Sequence, residues 1–256
     1  MTRLINLPVI ISALTMFTVP LLQAEDWPAP IKAIEARGAE IVERFDAPSG
    51  LQGYAARYNG QGVALYLTED GEHVLIGSLL NAQGEDLSRQ PLDKLVYEPL
   101  GKKMLGKLEK STWIADGSAS APRIVYMFSD PNCPYCNMFW NQARPWVEAG
   151  DVQVRHVMVG MLRQDSAAKA ATLLSAKDQQ AALHDHESAG KASKLQGLKQ
   201  IPGAIQQQLD DNISLMAEMG ASATPAIFYQ DESGQLRQQL GAPRPDELKQ
   251  IMGPRS

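Results

Sequence analysis

Residues 123–148 read RIVYMFSDPNCPYCNMFWNQARPWVE. An almost unbroken apolar run, RIVYMFSD, meets the turn Asp130-Pro131-Asn132 and then a helix-forming stretch that opens on Cys133. Such a run predicts a strand buried on both faces, and a strand of that kind needs helices above and below it. The chain must therefore contain a layered α/β domain. Every sulfhydryl it owns, Cys133 and Cys136, lies in the same stretch.

The pattern continues downstream. VQVRHVMVG is a second buried strand, and residues 166–220 are mostly helix formers, broken near Gly190 and at Ile201-Pro202-Gly203. TPAIFYQ opens another strand, residues 235–240 pair with it as a hairpin, and PDELKQIM closes the chain as a helix. Pro145 is expected to kink the helix that begins at the cysteines.

Ahead of this domain the periodicity is different. WPAPIKAIEARG predicts a short helix, followed by alternating segments EIVERFDA, LQGYAARY, GVALYLT and HVLIGSLL; Glu69-Asp70-Gly71 makes a hairpin turn between the last two. Residues 91–117 follow, with Met104, Leu105 and Leu108 set among lysines as an exposed linker helix, interrupted in its first half by Pro99 and Gly101. The expected class is α+β. A small β-rich unit spans 25–90, the linker helix 91–117, and an α/β domain 118–256 with a helical insertion at about 165–220. A β-rich unit of roughly 65 residues is near the lower limit for standing alone, which favours pairing with a second copy.

The first residues carry one positive charge (Arg3), an apolar run interrupted by Pro8 and Pro20, and Ala24 before Glu25-Asp26. That is the layout of a secretory leader cleaved after Ala24, so residues 1–24 are expected to be removed and the chain to work outside the cytosol. With 24 basic against 29 acidic residues and a net charge of −5, the chain lacks the clustered cations that nucleic acid or anionic lipid attracts. No nucleic-acid partner is expected.

Two cysteines separated by Pro134 and Tyr135 can serve as a crosslink, metal ligands, a protease nucleophile or a redox pair. A crosslink closing a loop of about four residues contributes only ~2 kcal/mol, against ~4.7 for a loop of about 100, so stability is a poor reason for it. Zinc asks for about four ligands, and the histidines at 73, 156, 184 and 186 form no paired motif. No metal site is expected. A cysteine protease would use His156, which falls inside a buried strand, and would leave Cys136 idle. A redox pair fits the position. Cys133 at a helix start meets free N–H groups and the positive end of the helix dipole, both of which favour thiolate. Pro134 suits the first turn, where a missing N–H costs nothing. Cys133 should be the exposed attacking sulfur and Cys136, three residues on, the shielded resolving one. Thr224-Pro225 is a further candidate element, although a proline opening a strand can equally mark an edge.

Taken together, Cys133-Pro134-Tyr135-Cys136 after a strand and Thr224-Pro225 opening a later one resemble a thioredoxin-like fold with its cis-proline loop. FSDPNCPYCNMFWNQARPWVEAG, the β-rich first unit, the linker helix and the terminal LKQIMG are similar to the DsbC/DsbG family of periplasmic thiol:disulfide interchange proteins. The Cys-Pro-Tyr-Cys sequence sets the chain on the DsbG side, since DsbC typically has Cys-Gly-Tyr-Cys.

The resemblance implies a homodimer joined through the first unit, Cys133 as nucleophile, Cys136 as resolving cysteine and Thr224-Pro225 beside them. It implies a periplasmic oxidoreductase, free of cofactors other than the cysteine pair, that reduces or isomerises wrong disulfides of exported proteins and restores sulfenylated cysteines. The membrane protein DsbD would keep it reduced. The same chemistry in reverse would make an oxidase, and an apolar dimer cleft would make a chaperone. Asn137 departs from the lysine expected after the second cysteine, which puts the redox poise in question.

Overall fold

The computed structural model describes residues 26–255; the leader read at 1–24 lies outside them. After α1 (Ala29–Glu35), strands β1 (Glu40–Asp46), β2 (Gln52–Tyr58), β3 (Gln61–Leu67) and β4 (Val74–Ile76) form an antiparallel sheet in sequence order. Asn59 and Gly60, both at positive φ, make the two-residue turn between β2 and β3, the conformation that matches strand twist. At Gly53 a Cβ would sit 2.3 Å from the Phe45 ring, so a larger residue there must displace that ring. Ile31, Tyr54, Ala56, Leu65 and Leu67 form the small core of this unit, with Trp27 edge-on to Tyr54.

A helical segment then runs from residue 89 to 110 as α2 (Arg89–Leu92), a π turn (Asp93–Tyr97) and α3 (Glu98–Lys110). Pro99 does not interrupt it. The N–H of Glu98 reaches back to the Asp93 carbonyl, and this wider turn absorbs a proline that would otherwise crowd the backbone behind it. Nor is α3 a bare connector. Leu108 is fully buried, Leu105 packs beside it, and Lys107 pairs with Glu218.

Residues 113–116, read from sequence as the end of the linker, are instead β5 (Trp113–Asp116), an edge strand paired antiparallel with residues 154–157. The α/β unit thus takes in residues ahead of 118. Its sheet has the order β5-β7-β6-β8-β9, with β6 (Arg123–Ser129), β7 (Val152–Met158), β8 (Ala226–Gln230) and β9 (Leu236–Leu240). Only β6 and β7 are parallel, joined through α4 (Pro134–Glu148). That helix continues through Pro145 to Glu148.

Val125 and Met127 of β6 face Phe139, Ala143 and Val147 of α4 and Ile251 of α8 (Pro245–Met252). Tyr126 and Phe128 face the other side, against Leu108 and Met216. The alternation confirms that β6 is covered on both faces. Helices α5 (Ser166–Leu174), α6 (Gln179–Ala189) and α7 (Gly203–Glu218) form the insertion, packed on Ile114 and Met158.

Candidate active site

The turn between β6 and α4 is built around Asp130, which is 1% exposed. Its carboxylate accepts from the backbone N–H groups of Asn132 (2.8 Å), Met161 (2.8 Å) and Leu162 (3.0 Å), and from the Ser166 hydroxyl (2.8 Å). One side chain thereby fastens the turn to the loop after β7. The Cys133 N–H donates to the Asp130 carbonyl at 2.9 Å, and Cys133 takes the extended N-cap conformation, φ −84° and ψ 110°. Pro134 begins the helix, as its missing N–H allows.

At the N-cap the sulfur replaces the usual capping oxygen: the Cys136 N–H donates to Cys133 Sγ at 3.1 Å. Across the site, Cys133 Sγ donates to the Thr224 carbonyl at 3.5 Å, and the Thr224–Pro225 peptide is cis. Cys133, Cys136, Thr224 and Pro225 are therefore brought together, with Pro134 and Tyr135 exposed on the first turn. Both cysteines are free thiols. The expected exposed sulfur is in fact well covered: Cys133 is 5% exposed and Cys136 is fully buried. The Thr224 carbonyl, 3.5 Å from Cys133 Sγ, is part of that cover.

The two thiols are driven apart in acidity. The hydrogen bond with the Cys136 thiol does most to hold Cys133 down, to about 7; burial opposes it, while the Thr224 side chain and the N–H groups of Cys136 and Tyr135 assist. Burial, and then the neighbouring Cys133, push the Cys136 thiol well above the ordinary value. The arrangement can present one thiolate near neutral pH and hold the other protonated until it is needed.

Several contacts around the pair could not be read from the sequence. Asn137 Nδ2 donates to the main-chain oxygen and carboxylate of Glu187, and His186 reaches the Pro131 carbonyl. Behind α4, Arg144 grips the buried Asp116 through both guanidinium nitrogens and lies 3.9 Å over the Trp140 ring; His156 Nε2 is 3.6 Å from the same carboxylate. The i, i+4, i+8 spacing of Cys136, Trp140 and Arg144 along one helix face is the signal that could have shown that these lie in line. Among the described residues no cluster of three or more His, Cys, Asp or Glu side chains could hold a metal ion.

Comparison with known proteins agrees with this chemistry. Residues 114–254 match the thioredoxin-like domain family. The thiol:disulfide interchange protein DsbG of Pseudomonas aeruginosa is 63% identical over 232 residues, covering 91% of each chain. DsbG of Escherichia coli is 44% identical over 230 residues, covering 90% of this chain and 93% of its own. DsbC of Escherichia coli is 26% identical over 182 residues, covering 70% of each. The β-rich first unit is included in the DsbG matches, so the likeness is not confined to the redox domain. With a cysteine pair capping α4 against a cis Thr224–Pro225 peptide, the chain belongs to the family of DsbG thiol:disulfide interchange proteins.

Proposed function

We propose that this protein is a periplasmic dithiol–disulfide oxidoreductase in which Cys133 attacks and Cys136 resolves. The observation that carries the assignment is the 3.1 Å hydrogen bond from the Cys136 N–H to Cys133 Sγ, which stabilises a thiolate on the outer cysteine alone. The Cys133 thiolate attacks one sulfur of a substrate disulfide, forms a mixed disulfide and expels the other substrate sulfur as thiolate. Cys136 then loses its proton and attacks Cys133 Sγ. The second substrate thiol is released, and the pair is left oxidised by two electrons.

Isomerisation follows when a thiol of the substrate itself displaces Cys133 from the mixed disulfide. With a sulfenylated substrate, the Cys133 thiolate attacks the sulfur to form the mixed disulfide, and the hydroxyl takes a proton from solvent and leaves as water; Cys136 again completes the cycle. The Thr224 carbonyl at the sulfur offers an extended substrate a backbone acceptor. Tyr135 (58% exposed), Met138, Met161 and Leu162 add apolar surface near the pair, which supports a secondary role in holding unfolded chains.

The substrates are exported proteins with wrong disulfides or oxidised cysteines, and the reductant expected from the family is DsbD. Residues 26–90 form the dimerisation unit of a homodimer. The support is the edge strand β4 and its continuation, where Leu75, Ile76 and Leu80 are more than half exposed. The leader-like residues 1–24 support export. Trapping thiols by alkylation in cell extracts tests the direction of the chemistry. A protein found mostly as dithiol is a reductase or isomerase, and one found mostly as disulfide is an oxidase.

A further inference from the structure

The last turn of α6 touches the cysteine motif at both ends through two consecutive residues. Ahead of Cys133, His186 Nε2 lies 2.8 Å from the Pro131 carbonyl oxygen, and Nδ1 lies 2.6 Å from Ser193 Oγ. A carbonyl only accepts, so Nε2 carries the proton, and in the neutral ring the Ser193 hydroxyl donates to Nδ1. Directly after Cys136, Asn137 Nδ2 donates to the Glu187 main-chain oxygen at 2.6 Å and to its carboxylate at 2.8 Å. Glu187 is 4% exposed. The approach is close: a Cβ on Gly190, at φ +52°, would lie 3.4 Å from Asn137 Oδ1.

We propose that His186 is a positioning residue for the thiol chemistry, holding the turn that delivers Cys133 while Glu187 grips the opposite flank of the pair. This rests on the reading of Cys133 as the attacking sulfur. The Pro131 ring fixes φ, so a hold on its carbonyl also fixes ψ and with it the plane of the next peptide. Asn132 and Cys133 are tied to Asp130 by their N–H groups, which leaves that carbonyl as the tie between the turn and α6. Two residues further on, the sulfur must meet the Cys136 N–H, a contact that weakens steeply once its angle is lost. His186 touches neither sulfur. It acts through the backbone, and its two hydrogen bonds keep the ring from rotating away.

The test is the acid strength of Cys133 in the reduced full-length protein, read from ultraviolet thiolate absorbance against pH, alongside a thermal melt. His186→Phe keeps a ring but loses the donor, and should make Cys133 an acid about threefold weaker, a shift of roughly 0.7 kcal/mol. His186→Gln retains an N–H donor and should titrate as the wild type. Ser193→Ala frees the ring without touching the turn, and should move the titration the same way by less. If His186→Phe does not fold, Ser193→Ala decides. Wild-type titration in both His186→Phe and Ser193→Ala overturns the proposal, as does a lowered melting temperature without a change in acidity. A wild-type protein with no thiol titrating near 7 would instead remove the assignment of Cys133 on which this inference rests.

Discussion

The backbone N–H of Cys136 donates to Cys133 Sγ across 3.1 Å, so the backbone of one cysteine solvates the sulfur of the other. Unequal roles follow. Cys136→Ser removes the second displacement and should accumulate covalent complexes with substrate on non-reducing gels; Cys133→Ser removes the first and should leave few or none. Equal trapping by both variants would reverse or abolish the assignment.

Alkylation should report the same asymmetry kinetically. With Cys133 at about 7, its rate constant with a neutral alkylating agent should be half-maximal near that pH. Below it the rate should fall about tenfold for each further unit, because only the thiolate reacts. Cys136, pushed up by burial, should remain unmodified over the same range. A half-maximum near the ordinary 9.0 would show that the hydrogen bonds from Cys136 and Thr224 do not tune the sulfur.

The depressed acidity of Cys133 also bears on stability. A thiol at about 7 when folded and 9.0 when unfolded contributes stability that is fully present above about 9 and is lost as pH falls through about 7. Relative to Cys133→Ser, the reduced protein should gain about 2 kcal/mol of unfolding free energy between those limits. Urea melts at several pH values would measure it; a pH-independent difference between the two proteins would contradict it.

Asp116 lies under α4, where burial pushes its pKa up but His156 and Arg144 outweigh that effect and hold the carboxyl at about 2. Its folded value is depressed, so its contribution is present above about 4 and disappears as pH falls through about 2. Asp116→Ala strands Arg144 in a largely buried site and should cost about 3 kcal/mol in denaturant melts near neutral pH. A loss below about 1 kcal/mol would mean that water satisfies the arginine, as at exposed pairs.

Ile76, 59% exposed on edge strand β4, tests the proposed dimer in the intact chain. Exchange of an exposed side chain disturbs folding little, whereas a charge opposite a second copy of the same edge is repelled. Ile76→Lys should be folded and monomeric by light scattering. A dimer that survives both Ile76→Lys and Leu80→Lys would place the interface elsewhere.

What could be read from the sequence was whatever depends on neighbours along the chain. The buried strand at 123–129, the turn, and a helix starting on a cysteine are local patterns, and all three are present. Residues 113–116 were missed because four residues carry too little periodicity; they become a strand only by pairing with β7, some forty residues on. Pro99 misled because proline argues against a helix locally, whereas the π turn before it is a tertiary accommodation. Cys133 was expected to be exposed because helix position says nothing about what covers it; the segment carrying Thr224 does so from 91 residues away. Asn137 was marked only as a departure from lysine and His186 only as a poor metal ligand; the contacts each makes were unreadable for the same reason. Pro131 lies 55 residues from His186 and Glu187 lies 50 from Asn137, and nothing in HDHES marks which side chain turns inward.

The confinement of both sulfurs to the first turn of α4 gives each molecule a very small covalent vocabulary. With a single pair, the chain can be closed, open, or joined to one substrate, and no further pairing exists inside it to trap it. Two electrons are stored at one address. A titration of the whole protein is thus a titration of that address alone, and any population that refuses to interconvert must be waiting on a partner, not on its own misconnected thiols.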